Sequence, residues 1–300
     1  MDERRVTART VDWRLPLPGG LRFRLVERPG VGLASDGLRM LVEDLRGVAD
    51  RCVGDGRLRY GVLSGERARL AEAVIAAIYR RDTGDMVAFN AMVELEATVD
   101  GRPMRVVHTG LCLVDPGLRS RGLCVALTAA PAILAFLRNR LAPLWFTSVT
   151  QVPAAAGVFT TALADVFPAP GRREPSPATH RQIVAQLVGR HRSAFGVGDD
   201  AELDMDAFVI RNAYTGGSDW LKKSFAACPK HRDARFNEWC ASLLDYERGD
   251  DVVQVGRMTV KQWLKVVFRL LRGLRSGPRQ ARGPAPSRAW GLTPERARRP

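Results

Sequence analysis

The sequence contains five cysteines and no Cys-x-x-Cys pair, only four tyrosines, and no apolar run long enough to cross a bilayer. Cys52, Cys112, Cys124, Cys228 and Cys240 are odd in number and irregularly spaced, which excludes a disulfide-framed secreted module and predicts a reduced, cytoplasmic setting. The N-terminus, Met-Asp-Glu-Arg-Arg, lacks the apolar stretch of a signal peptide. The longest apolar run, Leu123 to Leu137, is broken by Pro131 and falls short of a membrane span. Lysine occurs only at 222, 223, 230, 261 and 265, so no Gly-Lys-Ser/Thr phosphate loop exists. No internal repeat is present. Acidic residues are missing where they would matter most: residues 261–300 hold eleven Lys and Arg against the single Glu295, so +10 of the net +14 lies in the tail.

What remains is an ordinary globular composition, with 300 residues, 46% of them hydrophobic and 26% charged. That is enough chain for a large core. Residues 1–20, with Pro16, Pro18, Gly19 and Gly20, read as an irregular arm. Leu21–Glu27 alternates like a strand, and Ser35–Ala49 carries a helical stripe of Leu38, Leu41, Val42 and Leu45. Leu58–Leu63 is predicted as a strand and the stretch from Ser64 as a helix burying Leu70, Val74, Ile75 and Ile78. Met86–Val99 and Arg105–Val114 read as a hairpin turned at Asp100-Gly101. A helix over 121–140, a strand at Leu144–Val149 and a short helix over Ala154–Asp165 come next. A Pro/Gly/Ser-rich break at 170–178 marks a domain boundary. Beyond it, an α/β extension over 171–258 includes a helix around His180–Phe195, a strand at Ala207–Asn212, helices around 218–247 and a strand at Asp251–Val255. The alternation predicts an α/β or α+β chain with a mixed sheet.

Val106–Leu127, VVHTGLCLVDPGLRSRGLCVAL, is the segment that carries chemistry. A strand ends, a tight turn comes after it, and Arg119-x-x-Gly122 opens a helix. Such a corner aims unpaired backbone N–H groups and a helix dipole at one point, where an anion is favoured. Gly122 allows close approach to the backbone, and Arg119 and Arg121 add positive charge. A pyrophosphate suits that corner.

With Val114 five residues before Arg119, and Cys124 at the final small position, this segment resembles the GNAT acyltransferase superfamily. The resemblance spans about residues 20–170. It implies a mixed, mostly antiparallel sheet flanked by helices, with acetyl-CoA or a longer acyl-CoA as donor and no metal. It also implies that Arg119, Ser120, Arg121, Gly122, Leu123 and Cys124 hold the donor pyrophosphate. Backbone near Leu113 and Val114 would meet the thioester, and an N–H there would stabilise an oxyanion. The implied activity is transfer of an acyl group, from CoA or an acyl-carrier protein, to an amine. The alternative is a non-catalytic acyl-CoA or acyl-carrier binding module.

His108, on the strand leading into the motif, has the chemistry of a base, and Glu96 or Glu94 on the facing strand comes near it in some hairpin registers. Many GNAT enzymes place an acid tyrosine after the fifth strand. This chain has none between Gln151 and Pro168; Tyr214, in the later strand–loop region, is a residue that could substitute, and nothing in the sequence places it at the site. Cys228, His231 and Cys240 lack a fourth ligand and read as buried cysteines and a surface histidine. Asp200, Glu202, Asp204 and Asp206 read as a solvated loop, not a calcium loop, for want of its glycine.

The tail opens with a basic amphipathic helix over 259–276. At roughly 100° per residue, Lys261, Lys265, Arg269, Arg272 and Arg275 fall in an arc about 120° wide. Val260, Trp263, Leu264, Val266, Val267, Leu270, Leu271 and Leu274 lie opposite, and Phe268 sits among the basic residues. Three readings stand: packing on the protein's own core, docking on an anionic membrane surface through 260–275 in a peripheral attachment, or recognition of an acidic partner helix such as an acyl-carrier protein. Nucleic acid is disfavoured, because it would leave the apolar side unexplained. Residues 277–300 are Pro/Gly/Arg-rich and read as a disordered basic tail.

Overall fold

The first hundred positions supply four strands, and the chain pairs them consecutively and antiparallel. The computed structural model describes residues 10–53, 58–119, 122–172, 174–192, 196–198, 200–214 and 221–275. Asp12–Leu17 (β1) pairs with Leu21–Glu27 (β2) around Gly19-Gly20, so a strand replaces the later part of the expected irregular arm. Its residues are exposed on both faces, which erased the burial signal. Pro29–Gly32 (α1) and Ser35–Val53 (α2) come next, and α2 buries the predicted Leu38, Leu41, Val42 and Leu45.

The next stretch corrects the sequence reading. Instead of a strand at 58–63 and a long helix from Ser64, a 3-10 turn at Gly61–Ser64 leads through Arg67–Leu70 (α3) into Ala73–Arg80 (β3). β3 is buried on both faces along nearly its whole length, so its apolar residues run without alternation. Met86–Val99 (β4) and Arg102–Val114 (β5) form the predicted hairpin. Leu123–Arg138 (α4) crosses over to Leu144–Thr150 (β6), the strand that runs parallel to β5.

The remaining elements are Pro153–Ala162 (α5), Ala164–Phe167 (β7), Ala178–Arg190 (α6), Glu202–Asp204 (β8), Val209–Arg211 (β9), Ala234–Leu243 (α7), Asp251–Met258 (β10) and Val260–Arg275 (α8). The strands form one ten-stranded sheet in the order β1-β2-β3-β4-β5-β6-β10-β9-β8, with β7 also paired to β10. Every pairing except β5–β6 is antiparallel. This is the mixed, mostly antiparallel, helix-flanked architecture that the GNAT resemblance implies. The break at 170–178 does not divide the sheet, because β10 lies along β6 over seven register pairs, Val252–Thr150 to Met258–Leu144.

Two layers cover the sheet. α2 packs on Ile75, Ala77, Phe89 and Ala91, and α6 continues that layer over Leu95, Val106 and Val255. α4 covers the other face through Leu127 and Leu134 on Ala76, Ile78 and Val114, and its Phe136 reaches Phe146 and Phe159. Arg138, at the end of α4, donates from Nε and Nη2 to the two carboxylate oxygens of Glu27 at 2.9 and 2.7 Å. That pair fastens the crossover helix to β2.

Candidate active site

β5 carries an extra residue. Ala91 faces Leu111 and Val93 faces His108, so Thr109 and Gly110 together oppose Met92 alone. Such a bulge bends its strand. Gly110 sits at φ +60°, and a Cβ there would come 1.8 Å from the Ala91 carbonyl oxygen. At the same point β5 parts from β6. Among the described residues they pair only at Val106–Trp145, Val107–Phe146 and His108–Thr147, after which both strands continue without facing each other. A gap therefore opens beside residues 109–114, between the α4 face of the sheet and the α2/α6 face.

Backbone groups line this gap. The Asp115 N–H donates to the Val87 carbonyl at 2.9 Å. Because antiparallel strands alternate their bonding direction, the Leu113 amide turns toward β4 as well, whereas that of Val114 turns toward the gap. The Val114 carbonyl points the same way and accepts from Arg119 Nε at 3.3 Å and Cys52 Sγ at 3.4 Å. Of the two residues expected to meet a thioester, Val114 has its N–H on the open side.

At the mouth of the gap stands the N-terminus of α4. Gly122 is its N-cap, in the left-handed region at φ +73°, and among the described residues no side chain caps the helix. The space beside Gly122 is open. Arg119 is exposed next to it, while Ser120 and Arg121 lie outside the described residues. Leu123 and Cys124 form the first turn. The Cys124 thiol is drawn down to about 7, first by a hydrogen bond from Cys112, then by its own backbone amide and Arg119, against the opposing effect of burial. The Cys112 thiol rises in return. Asn90 Nδ2, across from Cys112, donates to Thr128 Oγ1 at 3.2 Å, one turn further along α4. These contacts hold the helix start against β5 and leave its amides facing outward into positive potential.

The pair expected to supply a base is not brought together. Glu96 is exposed and lies across from Arg105, and Glu94 accepts from Arg105 Nη2 at 2.6 Å. Both glutamates share the α4 face with Asn90 and Met92, whereas His108, in register with Val93, lies on the α6 face. The tight turn decided this: it pairs Val99 with Arg102, and the regular register that runs from there sets Val93, not a glutamate, opposite His108, before the bulge begins. His108 is 4% exposed, its Nδ1 is 3.2 Å from Thr147 Oγ1, and burial pushes its pKa down to about 3. It is a neutral imidazole within the sheet and a weak base.

A polar cluster that sequence reasoning did not assemble occupies the far side of the gap. Gln151 comes directly after β6. Its Nε2 donates to Tyr214 Oη at 2.7 Å and to the Leu221 carbonyl at 3.1 Å, and its Oε1 accepts from the Lys223 amide at 2.9 Å. Tyr214 in turn donates to Asp251 Oδ1 at 3.0 Å. Leu221 packs against the same cluster as Leu111 and Leu113, which sets this network on the gap's α2 side. Four chain segments meet here, and only Tyr214 was legible from sequence as a candidate.

Asp251 is buried, and that burial, with the Asp250 charge beside it, raises its carboxyl to about 7 against the opposing Tyr214 hydrogen bond. An unfolded chain ionises this group near 3.8. Ionisation between those values favours the unfolded chain, so this residue's contribution to stability falls as pH rises from about 4 to about 7. His108 opposes it: its folded value lies below the ordinary 6.5, so its contribution grows over the same rise in pH. Asp251→Asn should isolate the first effect. Relative to wild type, its melting temperature should gain on the order of 5 °C between pH 4 and pH 7.5, measured by differential scanning calorimetry. A constant offset across that range would show that Asp251 is not held neutral in the fold.

Cys228 and Cys240 are buried in an apolar cluster with Ala156, Val209 and Leu244, and His231 stacks edgewise on Phe236. Among the described residues, no three His, Cys, Asp or Glu side chains converge as metal ligands.

No family model matches this chain, and no curated protein matches it in sequence. Solved structures similar to it include the ribosomal-protein-S5-alanine acetyltransferase of Vibrio fischeri, at 13% identity and TM-score 0.33 over 50% of this chain and 81% of that one. A GCN5-related N-acetyltransferase of Kribbella flavida matches at 16% identity and TM-score 0.30, over 58% and 45%. The Saccharomyces cerevisiae N-myristoyltransferase with bound myristoyl-CoA matches at 12% identity and TM-score 0.32, over 67% and 58%.

Proposed function

We propose that the chain is an acyl-CoA-dependent N-acyltransferase. One observation carries the reading: β5 and β6 part at a bulge, and the gap they leave begins at a helix N-terminus flanked by Arg119 and Gly122. The amides of Leu123 and Cys124, with Arg119, suit a pyrophosphate. The gap suits the extended arm that joins a pyrophosphate to a thioester, and it delivers that thioester from the α4 face to the α2/α6 face.

The Val114 N–H faces the place where the carbonyl oxygen would sit and is fixed before reaction, which is what oxyanion stabilisation requires. An amine attacks the carbonyl, the C–S bond breaks, and the departing thiolate takes a proton, giving an amide and free CoA. Tyr214, held between Gln151 and Asp251, offers a hydroxyl on that side of the gap. It gives a proton to the thiolate, the role of the tyrosine missing after the fifth strand, and recovers one from the ammonium that the attacking amine becomes.

Burial of His108 and the separation of Glu96 from it favour a second reading, in which the chain binds acyl-CoA without turning it over. Thermal shift with acetyl-, octanoyl- and palmitoyl-CoA, then a thiol-release assay over a panel of amines, distinguishes the two. At about 100-fold excess over Kd a donor should raise the melting temperature by roughly 5 °C or more. CoA release should accompany it, and Tyr214→Phe should slow that release without weakening the stabilisation. No stabilisation by any donor would sink both readings. Stabilisation without release would leave the binding module.

A further inference from the structure

α8 leaves the sheet after β10 and lies against α4, with Trp263 packed on Phe136 at a ring-centroid distance of 6.4 Å. The structure divides its apolar residues into two stripes. Trp263, Val266 and Val267 are half-buried, and Trp263 joins the cluster of Phe136, Phe146, Phe159 and Met258. Val260, Leu264 and Phe268 are spaced four residues apart, so they neighbour one another along one face. They are 46%, 43% and 62% exposed. Lys261 and Lys265 are exposed beside them, and the helix contains no acid.

Packing on the core explains the first stripe and leaves the second over. A helix that served only to cover its own core would turn polar residues to solvent at those positions. An apolar stripe bordered by lysines has the shape of a helix lying in a bilayer interface, with its apolar side chains among acyl chains and its ammonium groups at lipid phosphates. The exposed face offers no acid and so nothing that would select one acidic protein from another. A lipid surface requires no such selection. The sequence after α8 continues the sign, with six arginines and one glutamate from 276 to 300.

We infer that α8 docks the protein on an anionic lipid surface, inserting Val260, Leu264 and Phe268 while Lys261 and Lys265 meet lipid phosphates. The inference does not rest on the acyl-transfer reading, since vesicle binding and donor binding are measured separately. The test is co-sedimentation of the full chain with phosphatidylcholine vesicles, with and without phosphatidylglycerol. Wild type should bind the phosphatidylglycerol vesicles and not those of phosphatidylcholine alone. Leu264→Ser/Phe268→Ser should weaken binding at least tenfold without altering the far-UV spectrum or melting temperature. Phe268→Ser alone, at the most exposed position, should weaken it measurably. Lys261→Gln/Lys265→Gln should weaken it and lessen its sensitivity to salt. Failure of wild type to bind either vesicle would overturn the inference. So would binding unchanged by the Leu264/Phe268 pair, which would mean attachment by charge alone. Capture of a purified acidic acyl-carrier protein in place of vesicles, lost on the same replacements, would assign the face to that partner instead.

Discussion

Gly110→Ala should leave little folded protein, and what folds should melt about 8 °C or more below wild type in calorimetry. Two costs act at once. An alanine held at φ +60° is strained by about 1–2 kcal/mol. Its methyl group would also stand 1.8 Å from the Ala91 carbonyl oxygen, a distance that no rotamer relieves because both positions are fixed by backbone. The strands must separate or the bulge must be lost, at a total cost above about 4 kcal/mol. At about 2–4 °C per kcal/mol for a chain of this size, the shift reaches the stated figure. Loss of the bulge would also remove the bend that parts β5 from β6, so the surviving fraction should gain no stability from acetyl-CoA. Wild-type melting and undiminished donor stabilisation in this variant would show that the bulge does not make the gap.

Gly122→Glu should have the opposite profile, with a nearly intact fold and at least a 100-fold loss of donor affinity. Nothing stands near the position of a Cβ on Gly122, so the side chain fits. The positive φ costs about 1 kcal/mol, partly offset because a carboxylate is favoured at a helix N-terminus by roughly 0.3–1 kcal/mol. That favour is the reason binding should fail: the carboxylate takes the amides and the positive potential that a pyrophosphate needs. Isothermal titration with acetyl-CoA measures the loss, and Gly122→Ala should retain most of the affinity. Equal affinity in Gly122→Glu and wild type would move the donor away from α4 altogether.

These two glycines show where the sequence could be read and where it could not. Arg119-x-x-Gly122 announces a helix N-terminus because its meaning is local, a turn and the amides beyond it. Gly110 carries no such mark, since its role comes from Ala91 on another strand. The same distinction separates other outcomes. α2 was legible from one stripe of leucines, whereas β3 was read as the continuation of a helix because burial on both faces removed its alternation. Glu96 and His108 lie on opposite faces because the turn pairs Val99 with Arg102, a register that the strand pattern alone does not fix. Gln151, Tyr214 and Asp251 are separated by 63 and 37 positions, so no local pattern could have joined them.

The place of β10 in the sheet has a consequence for the order in which the molecule can be assembled. Its neighbour β6 ends at residue 150 and then waits through a hundred residues of synthesis for the strand that covers its outer edge. During that interval a nascent chain presents an unsatisfied, apolar strand edge, Leu144 to Thr150, to every other chain nearby. Closure then joins segments far apart in sequence, which slows folding. Tyr214 follows β9 and Asp251 opens β10, so the polar cluster around Gln151 is built from the same C-terminal segments that cover this edge.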